Sequence, residues 1–569
     1  MTSQLVDVAT YAGPASTTHR SPKGRWRPWL MVAVPTLFLG VLVVWPLTAV
    51  MIRSLTGVSW SDAADVVWRA RTGRVLAFTL AQAIISVLLT MVCGLPVAYV
   101  LARYRFVGRG LVQAIVLVPF VLPTVVVASA FVQVTNRLGL SISDPTVGLV
   151  AIVAAHVFFN VAVVVWVVGG YWEQTDDRPR EAAAVLGAGP WRQFRSVTLP
   201  RLFPVVVSAG AVVFLFSFTS FGVIRVLGGP RRATLETEIY RYAVSRGEFD
   251  VAAVLGLIQI VAVAMMAVTS IRWQRRAAAA SRQGRNSRSW QRAAGWWPRV
   301  QLVAAVGLVF AVVGLPLVVM VEGSLSVSGG THYGFDHYRA LAEGQRLLPV
   351  SALRALATSL LFALVAGVVA VVVGLITAWL VSFGGRASRP FEVLSLVPLG
   401  VSAVTLGFGY VVGFAAFDLR RSVWLVPLAH AVVGLPFVLA SVTPAMRAIN
   451  PRVREAAAVL GAGPGSVRRL VDWPLVRPAV LVGAGFALAV SIGEFGATSF
   501  VARGDDSFTA PMAVFRLISQ PGETLQGQAL ALSVVISALT AGLAASLIGL
   551  SRVDWSQLGS RSPLDQEVR

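Results

Sequence analysis

Lysine is all but missing from these 569 residues: Lys23 is the only one, although Lys and Arg together number 48 against 26 acids. A P-loop needs an ammonium group that follows its glycines and precedes Ser or Thr, so that it can reach the transferred phosphates. Lys23 is followed by Gly24, and ATP hydrolysis on this chain is therefore excluded. Cysteine is equally scarce: Cys93 stands alone, which rules out a disulfide framework or a thiolate metal cluster. No catalytic residue, cofactor site or metal site is expected on this chain.

Charge of any sign is also thin, at 13% of residues, while 56% are hydrophobic and the mean hydropathy is +0.74. The apolar residues come in blocks about 20 long, which is the length that crosses a bilayer as a helix. The blocks fall near 30–52, 75–101, 110–134, 147–170, 203–226 and 251–271, then near 300–321, 355–382, 391–416, 423–442, 477–501 and 526–550. The expected fold is an all-α polytopic membrane protein of twelve transmembrane helices, with membrane lipid as its surroundings.

A net charge of +22 could suggest nucleic acid, but its placement points elsewhere. Arginines gather in alternate loops, as in Arg103, Arg105 and Arg109, in Arg178 to Arg201, and in Arg272 to Arg299, which holds eight Arg and no acid. The opposite loops mix signs. The positive-inside rule therefore places both termini and the basic loops in the cytoplasm and the chain in the plasma membrane, and no nucleic-acid partner is expected. Residues 1–29 read as a disordered cytoplasmic tail, 272–299 as a basic linker and 551–569 as a second tail.

The chain repeats itself. EAAAVLGAGP runs from Glu181 to Pro190 and again, unchanged, from Glu455 to Pro464. A shift of 274 also superposes His156 on His430, Pro200 on Pro474 and Ser217 on Ser491; upstream, a shift of 280 superposes Gly94 on Gly374. Two homologous halves, 30–271 and 300–550, follow, and an even number of spans in each makes the repeat parallel. The repeated loops, 173–201 and 447–475, each predict a short helix, a Gly-Pro corner and a second short helix bearing Trp191, Phe194 and Val197, or Val467, Leu470 and Val471. Asn450, and less regularly Asp177, are the expected caps. Ala182 and Ala183, like Ala456 and Ala457, offer a helix surface that another protein can approach closely. A lone Ala-rich loop would be ordinary packing, but identity between halves that otherwise differ points to two copies of one partner.

Those residues resemble the signature loop of ABC importer permeases: Glu181, Ala182, Ala183, Gly187, Val197, Leu199 and Pro200, and again Glu455, Ala456, Ala457, Gly461, Val471 and Pro474, with Trp473 in place of the usual Leu. The resemblance implies that each loop is a coupling helix seated in a cytoplasmic ABC ATPase. Two copies of that subunit would bind the ATP and Mg, and an extracytoplasmic solute-binding protein would deliver the cargo. The segments AHVFFN at 155–160, FTSFGVIRVLGGPRRATLETEIYR at 218–241 and SIGEFGATSF at 491–500 resemble the fused two-half permeases of ferric iron and thiamine importers. Two intact loops lean toward iron; sulfate, molybdate and polyamine permeases usually divide the halves between chains. The rival is a twelve-span secondary transporter driven by protons or sodium, which would need ionisable residues at membrane depth. Only Glu494, His156 and His430 offer themselves, and that model leaves the repeated loop unexplained.

Pathway candidates are Ser217, Thr219, Ser220 and Glu494. Glu494 reads more readily as a packing or gating element than as a cation site, in which case Glu494→Gln should be tolerated. His156 and His430 read as architectural, and Glu236, Glu238 and Tyr240 as a docking surface for the binding protein.

Overall fold

The computed structural model describes residues 28–551, apart from 58, 230–231, 282–290, 328–329, 344–345, 384–387, 389, 392–396, 398–401, 418–421 and 503. Of the expected tails at 1–29 and 551–569, residues 1–27 and 552–569 lie outside the described residues, as does the middle of the expected linker. Ten described helices are long and apolar enough to cross a membrane. Helices are the only open-ended solution there, because each closes its own backbone hydrogen bonds where no water can.

In the first repeat these are α1 (Val32–Thr56), α2 (Ala70–Arg103), the bent pair α3 (Arg109–Val121) and α4 (Thr124–Arg137), then α5 (Pro145–Glu173). The short α6 (Arg178–Val185) precedes α7 (Pro190–Phe218); α8 (Gly222–Leu227), α9 (Leu235–Tyr240) and α10 (Phe249–Thr269) complete the repeat. The second contains α11 (Trp296–Leu325), α12 (Ala352–Phe383), α13 (Ala403–Gly413) and α14 (Leu425–Ala448). It ends with α15 (Pro451–Val459), α16 (Pro464–Ile492), α17 (Gly496–Val501), α18 (Ala510–Ile518) and α19 (Glu523–Ser551).

Three expectations need correction. The third span is not straight: α3 and α4 meet at 107°, because Leu122 precedes Pro123 and is driven out of the helical region to ψ 141°. Counted as one broken span, the pair is an eleventh crossing. Its counterpart, expected at 391–416, lies partly outside the described residues and shows the short apolar α13. Secondly, the spans expected at 203–226 and 477–501 stop at Phe218 and Ile492, and α8 and α17 resume after a break. Thirdly, the basic linker is shorter than 272–299, since the helix from Phe249 continues to Ser281 and another starts at Trp296; between them Gln291 and Arg292 pair in parallel with Tyr104 and Arg105.

Each repeat lends its first span to the other. α1 packs on α13 and α12, while α11 packs on α4 and α2. Cross-repeat hydrogen bonds hold α1 in place, the Trp45 indole donating to the Gly413 carbonyl at 2.9 Å and the Tyr410 hydroxyl to the Leu42 carbonyl at 2.8 Å, and Ser129 of α4 and Ser533 of α19 share a further bond of 3.1 Å between the repeats. The repeat is also visible in detail. Thr79 Oγ1 accepts from the Leu235 N–H at the start of α9, and Ser359 Oγ accepts from the Ala510 N–H at the start of α18.

Candidate functional site

The two repeated loops adopt the same shape. α6 closes with the Gly187 N–H on the Ala184 carbonyl and the Ala188 N–H on the Ala183 carbonyl; α15 closes with the equivalent bonds, from Gly461 to Ala458 and from Ala462 to Ala457. Gly187 at φ 80° and Gly461 at φ 84° occupy the left-handed region that a side chain would strain. The cap expected from Asn450 is present, accepting from the Arg452 N–H at 3.0 Å, whereas in the first loop Asp176, not Asp177, accepts from Arg178. The second short helix is not separate: the chain from Pro190, and from Pro464, runs on into α7 and α16. Wider π turns at Phe194–Thr198 and Arg468–Asp472 carry it, just before Pro200 and Pro474, whose nitrogens can donate nothing to the helix ladder.

At each corner two aliphatic side chains stand almost bare. Val185 and Leu186 are 88% and 86% exposed, Val459 and Leu460 88% and 87%. Glu181, Ala182, Glu455 and Ala456 are exposed beside them. Apolar side chains thus stand without cover among the described residues, twice and in identical settings.

The second locus lies where the repeats meet. Phe221 and Phe495, equivalent positions 274 apart, stack on one another with ring centres 5.5 Å apart and planes 22° off parallel. Beside them a cavity of about 280 Å³ is lined from both repeats. Gly222 permits the close approach of α4, since a methyl group there would sit 2.3 Å from Thr124 Oγ1.

Of the expected pathway residues, Thr219, Ser220 and Glu494 line this cavity. Ser217 does not: it is fully buried, its hydroxyl accepting from Asn160 at 3.3 Å and its carbonyl from Gln82 at 2.9 Å. Glu494 faces the cavity but is largely committed. Its Oε1 accepts from the Ala497 N–H at 2.9 Å, and its Oε2 from the Thr498 N–H at 3.0 Å and the Thr498 hydroxyl at 2.8 Å, so it caps α17 where the span breaks.

The hydroxyl of Thr498 has one proton, already given to Glu494. His430 Nε2, 2.7 Å from it, is therefore the donor, and His430 Nδ1 shares a hydrogen bond of 2.9 Å with the Ser491 hydroxyl. Serine, imidazole, threonine and carboxylate form one closed relay. The first repeat has lost it, with Ser220 where Glu494 stands and Ile224 where Thr498 stands. His156 keeps a bond through Nδ1 to Ser86 at 3.0 Å, while its Nε2 has no partner among the described residues, and the side chain lines the cavity. Sequence reasoning treated the two histidines as equals. The spacing of His156, Phe159 and Asn160 on one helical face was the available signal, and all three border the cavity.

The acidic segment behind Phe221 is not a docking surface. Glu236 is fully buried, accepting from Gln259 Nε2 at 2.7 Å and from the Ser402 hydroxyl at 2.6 Å, a bond between repeats. Burial pushes its carboxyl up to about 8, against the opposing effect of the Ser402 bond. Glu238 is held between Arg71 at 2.7 Å and Arg241 at 2.5 Å; burial alone would raise its carboxyl, but these two guanidiniums bring it below the usual range. Tyr240 packs between Phe221 and Phe500.

A family model described as "Binding-protein-dependent transport system inner membrane component" matches residues 94–279 and again 370–553. The thiamine transport system permease protein of Brucella abortus is 28% identical over 447 residues, covering 74% of this chain and 78% of that protein. The protein of that name in Escherichia coli is 26% identical over 507 residues, covering 85% and 91%. The sulfate transport system permease protein CysT of Salmonella typhimurium is 30% identical over 245 residues, which are 88% of its own length but 42% of this chain. A nearly whole sulfate permease thus corresponds to less than half of the present molecule.

Proposed function

The chain belongs to the family of binding-protein-dependent transport system inner membrane components, and from that premise we propose that it imports thiamine or a closely similar organic cation, powered by separate ATPase subunits. Both repeats match the family, which supports a membrane pathway formed by one chain. The observation that carries the energy source is the pair of bare corners, Val185–Leu186 and Val459–Leu460. Each is the size of a knob that fits a groove, and two identical knobs fit two copies of one cytoplasmic ABC ATPase. That subunit binds the ATP and Mg which a chain with Lys23 as its only lysine cannot engage through a P-loop. The basic loops orient both knobs and both termini to the cytoplasm, and an extracytoplasmic binding protein presents the solute.

Thiamine is favoured over ferric iron by the cavity as well as by the names of the relatives. Its walls include Phe120, Phe159, Phe216, Phe221, Phe437 and Phe495, with Glu494 as the one carboxylate among the described lining residues. An aromatic cation gains from stacking and from ring faces, whereas a hard metal ion wants several oxygen donors. The lean toward iron drawn from two intact loops concerns the ATPase contact and says nothing of cargo. In this reading Thr219, Ser220 and the free nitrogen of His156 offer polar contacts to the passing solute.

The test is uptake of labelled thiamine by cells expressing this permease with its ATPase and binding protein. Uptake should survive collapse of the membrane potential and cease when ATP is depleted. Uptake that stops with the potential while ATP is maintained would establish the ion-coupled alternative instead.

A further inference from the structure

A cavity of about 840 Å³ opens beneath the first knob, between α2, α5, α7 and α11, and the second repeat explains what it lacks. There Arg454 is closed off: it donates to Asp472 at 2.7 Å and lies over the Phe383 ring at 4.6 Å. The first repeat keeps the arginine, as Arg180, and replaces both of these contacts. Thr198 stands at the position of Asp472, Arg103 at that of Phe383, and Arg201 at that of Leu475. Arg180 has Asp177 at 3.7 Å, and three guanidiniums, Arg103, Arg180 and Arg201, border one cavity against the two carboxylates of Asp176 and Asp177.

Guanidiniums outnumber carboxylates around this hollow, and the surplus positive charge suits an anion. The depth of the cavity says which kind. Leu95 lies eight residues inward from Arg103 on α2, about 12 Å along the helix, and Val206 and Leu308 continue the same apolar wall. A cationic rim over an apolar shaft, at the basic end of membrane-spanning helices, matches an anionic amphiphile of the bilayer. We propose that this cavity holds one anionic phospholipid, its phosphodiester among Arg103, Arg180 and Arg201 and an acyl chain along Leu95, Val206 and Leu308. The lipid occupies the first repeat alone, underneath one of two otherwise identical knobs, and makes the two coupling loops unequal in their dependence on membrane composition. The inference does not rest on the identity of the cargo.

The test is native mass spectrometry of the full chain, released from nanodiscs of phosphatidylglycerol and phosphatidylcholine in equal amounts. The parent should retain one phosphatidylglycerol with a preference of about tenfold or more over phosphatidylcholine. Arg103→Phe combined with Thr198→Asp installs the residues of the second repeat and should bring the preference to within about twofold. Arg201→Leu, on an exposed position and carrying the residue of the other half, should weaken it in a chain that folds normally, and Arg103→Lys should keep it. Equal retention of both lipids by the parent, or an unchanged preference in Arg201→Leu and in the double variant, would overturn the proposal. So would displacement of the lipid by millimolar glycerol phosphate, which would make this a site for a soluble anion.

Discussion

Glu494 invites a substitution whose cost can be worked out from its contacts. Three donors converge on two oxygens: the Ala497 N–H on one, the Thr498 N–H and hydroxyl on the other, with His430 Nε2 3.4 Å away. Each bond to a charged acceptor contributes about 1.5–3 kcal/mol, and a buried donor left without its acceptor costs about 1–3 kcal/mol. Glutamine retains one oxygen and turns an amide NH₂ toward a backbone N–H. Glu494→Gln should therefore lose about 2–4 kcal/mol, and Glu494→Ala, which also uncaps α17, rather more. Gln is thus expected to be tolerated in uptake, as the sequence suggests, but at a cost in stability. The measurement is thermal unfolding of the purified chain in detergent, followed by tryptophan fluorescence, alongside uptake per folded molecule. Stability should fall with both variants while uptake per folded molecule changes little. A Gln variant as stable as the parent but defective only for a cationic solute would refute the argument and make Glu494 a cargo ligand.

For Glu236, a folded value near 8 lies above the ordinary 4.5, so its contribution is fully present below about 4.5 and is lost as pH rises through 8. Between pH 5 and 9 the parent should lose stability that Glu236→Gln, which keeps the Ser402 contact, does not lose; parallel curves would contradict the buried carboxyl. At the knobs, Leu186→Asp with Leu460→Asp, or Glu181→Lys with Glu455→Lys, should abolish uptake and ATPase association with unchanged unfolding temperature, since these side chains touch nothing that folds the chain; normal uptake in either pair would remove the coupling role. At the cavity, His156→Phe should raise the KM for uptake with little change in stability, whereas His430→Phe should destabilise the chain by about 2–4 kcal/mol through its severed relay; equal effects would mean the two histidines are equivalent after all. Gly222→Ala should cost about 1–3 kcal/mol as its methyl meets Thr124, read as a lowered unfolding temperature.

The spans, their doubling and the repeated loops were legible because their causes are local. A helix in a bilayer must satisfy its own backbone and wear apolar side chains throughout, so hydropathy along the chain reveals it. The corner of each knob needs a left-handed glycine and a following proline, and Gly187, Pro190, Gly461 and Pro464 spell that out. The scarcity of lysine argued against a P-loop without any coordinates. What the tertiary structure decided depends on residues far apart in sequence. Ser217 is hidden because Gln82 and Asn160 reach it, Glu236 is buried because Ser402 of the other repeat closes over it, and Phe221 finds Phe495 across 274 residues. Equivalent residues were also read as equals, yet His430 is bonded to Thr498 through Nε2, while the first repeat has Ile224 at the position of Thr498 and His156 Nε2 has no partner among the described residues. Arg454 is likewise closed by Asp472 while Arg180 faces a cavity. Repetition in sequence fixes the backbone plan twice over, but whether a buried polar group is satisfied is settled by the particular neighbours that packing brings to it.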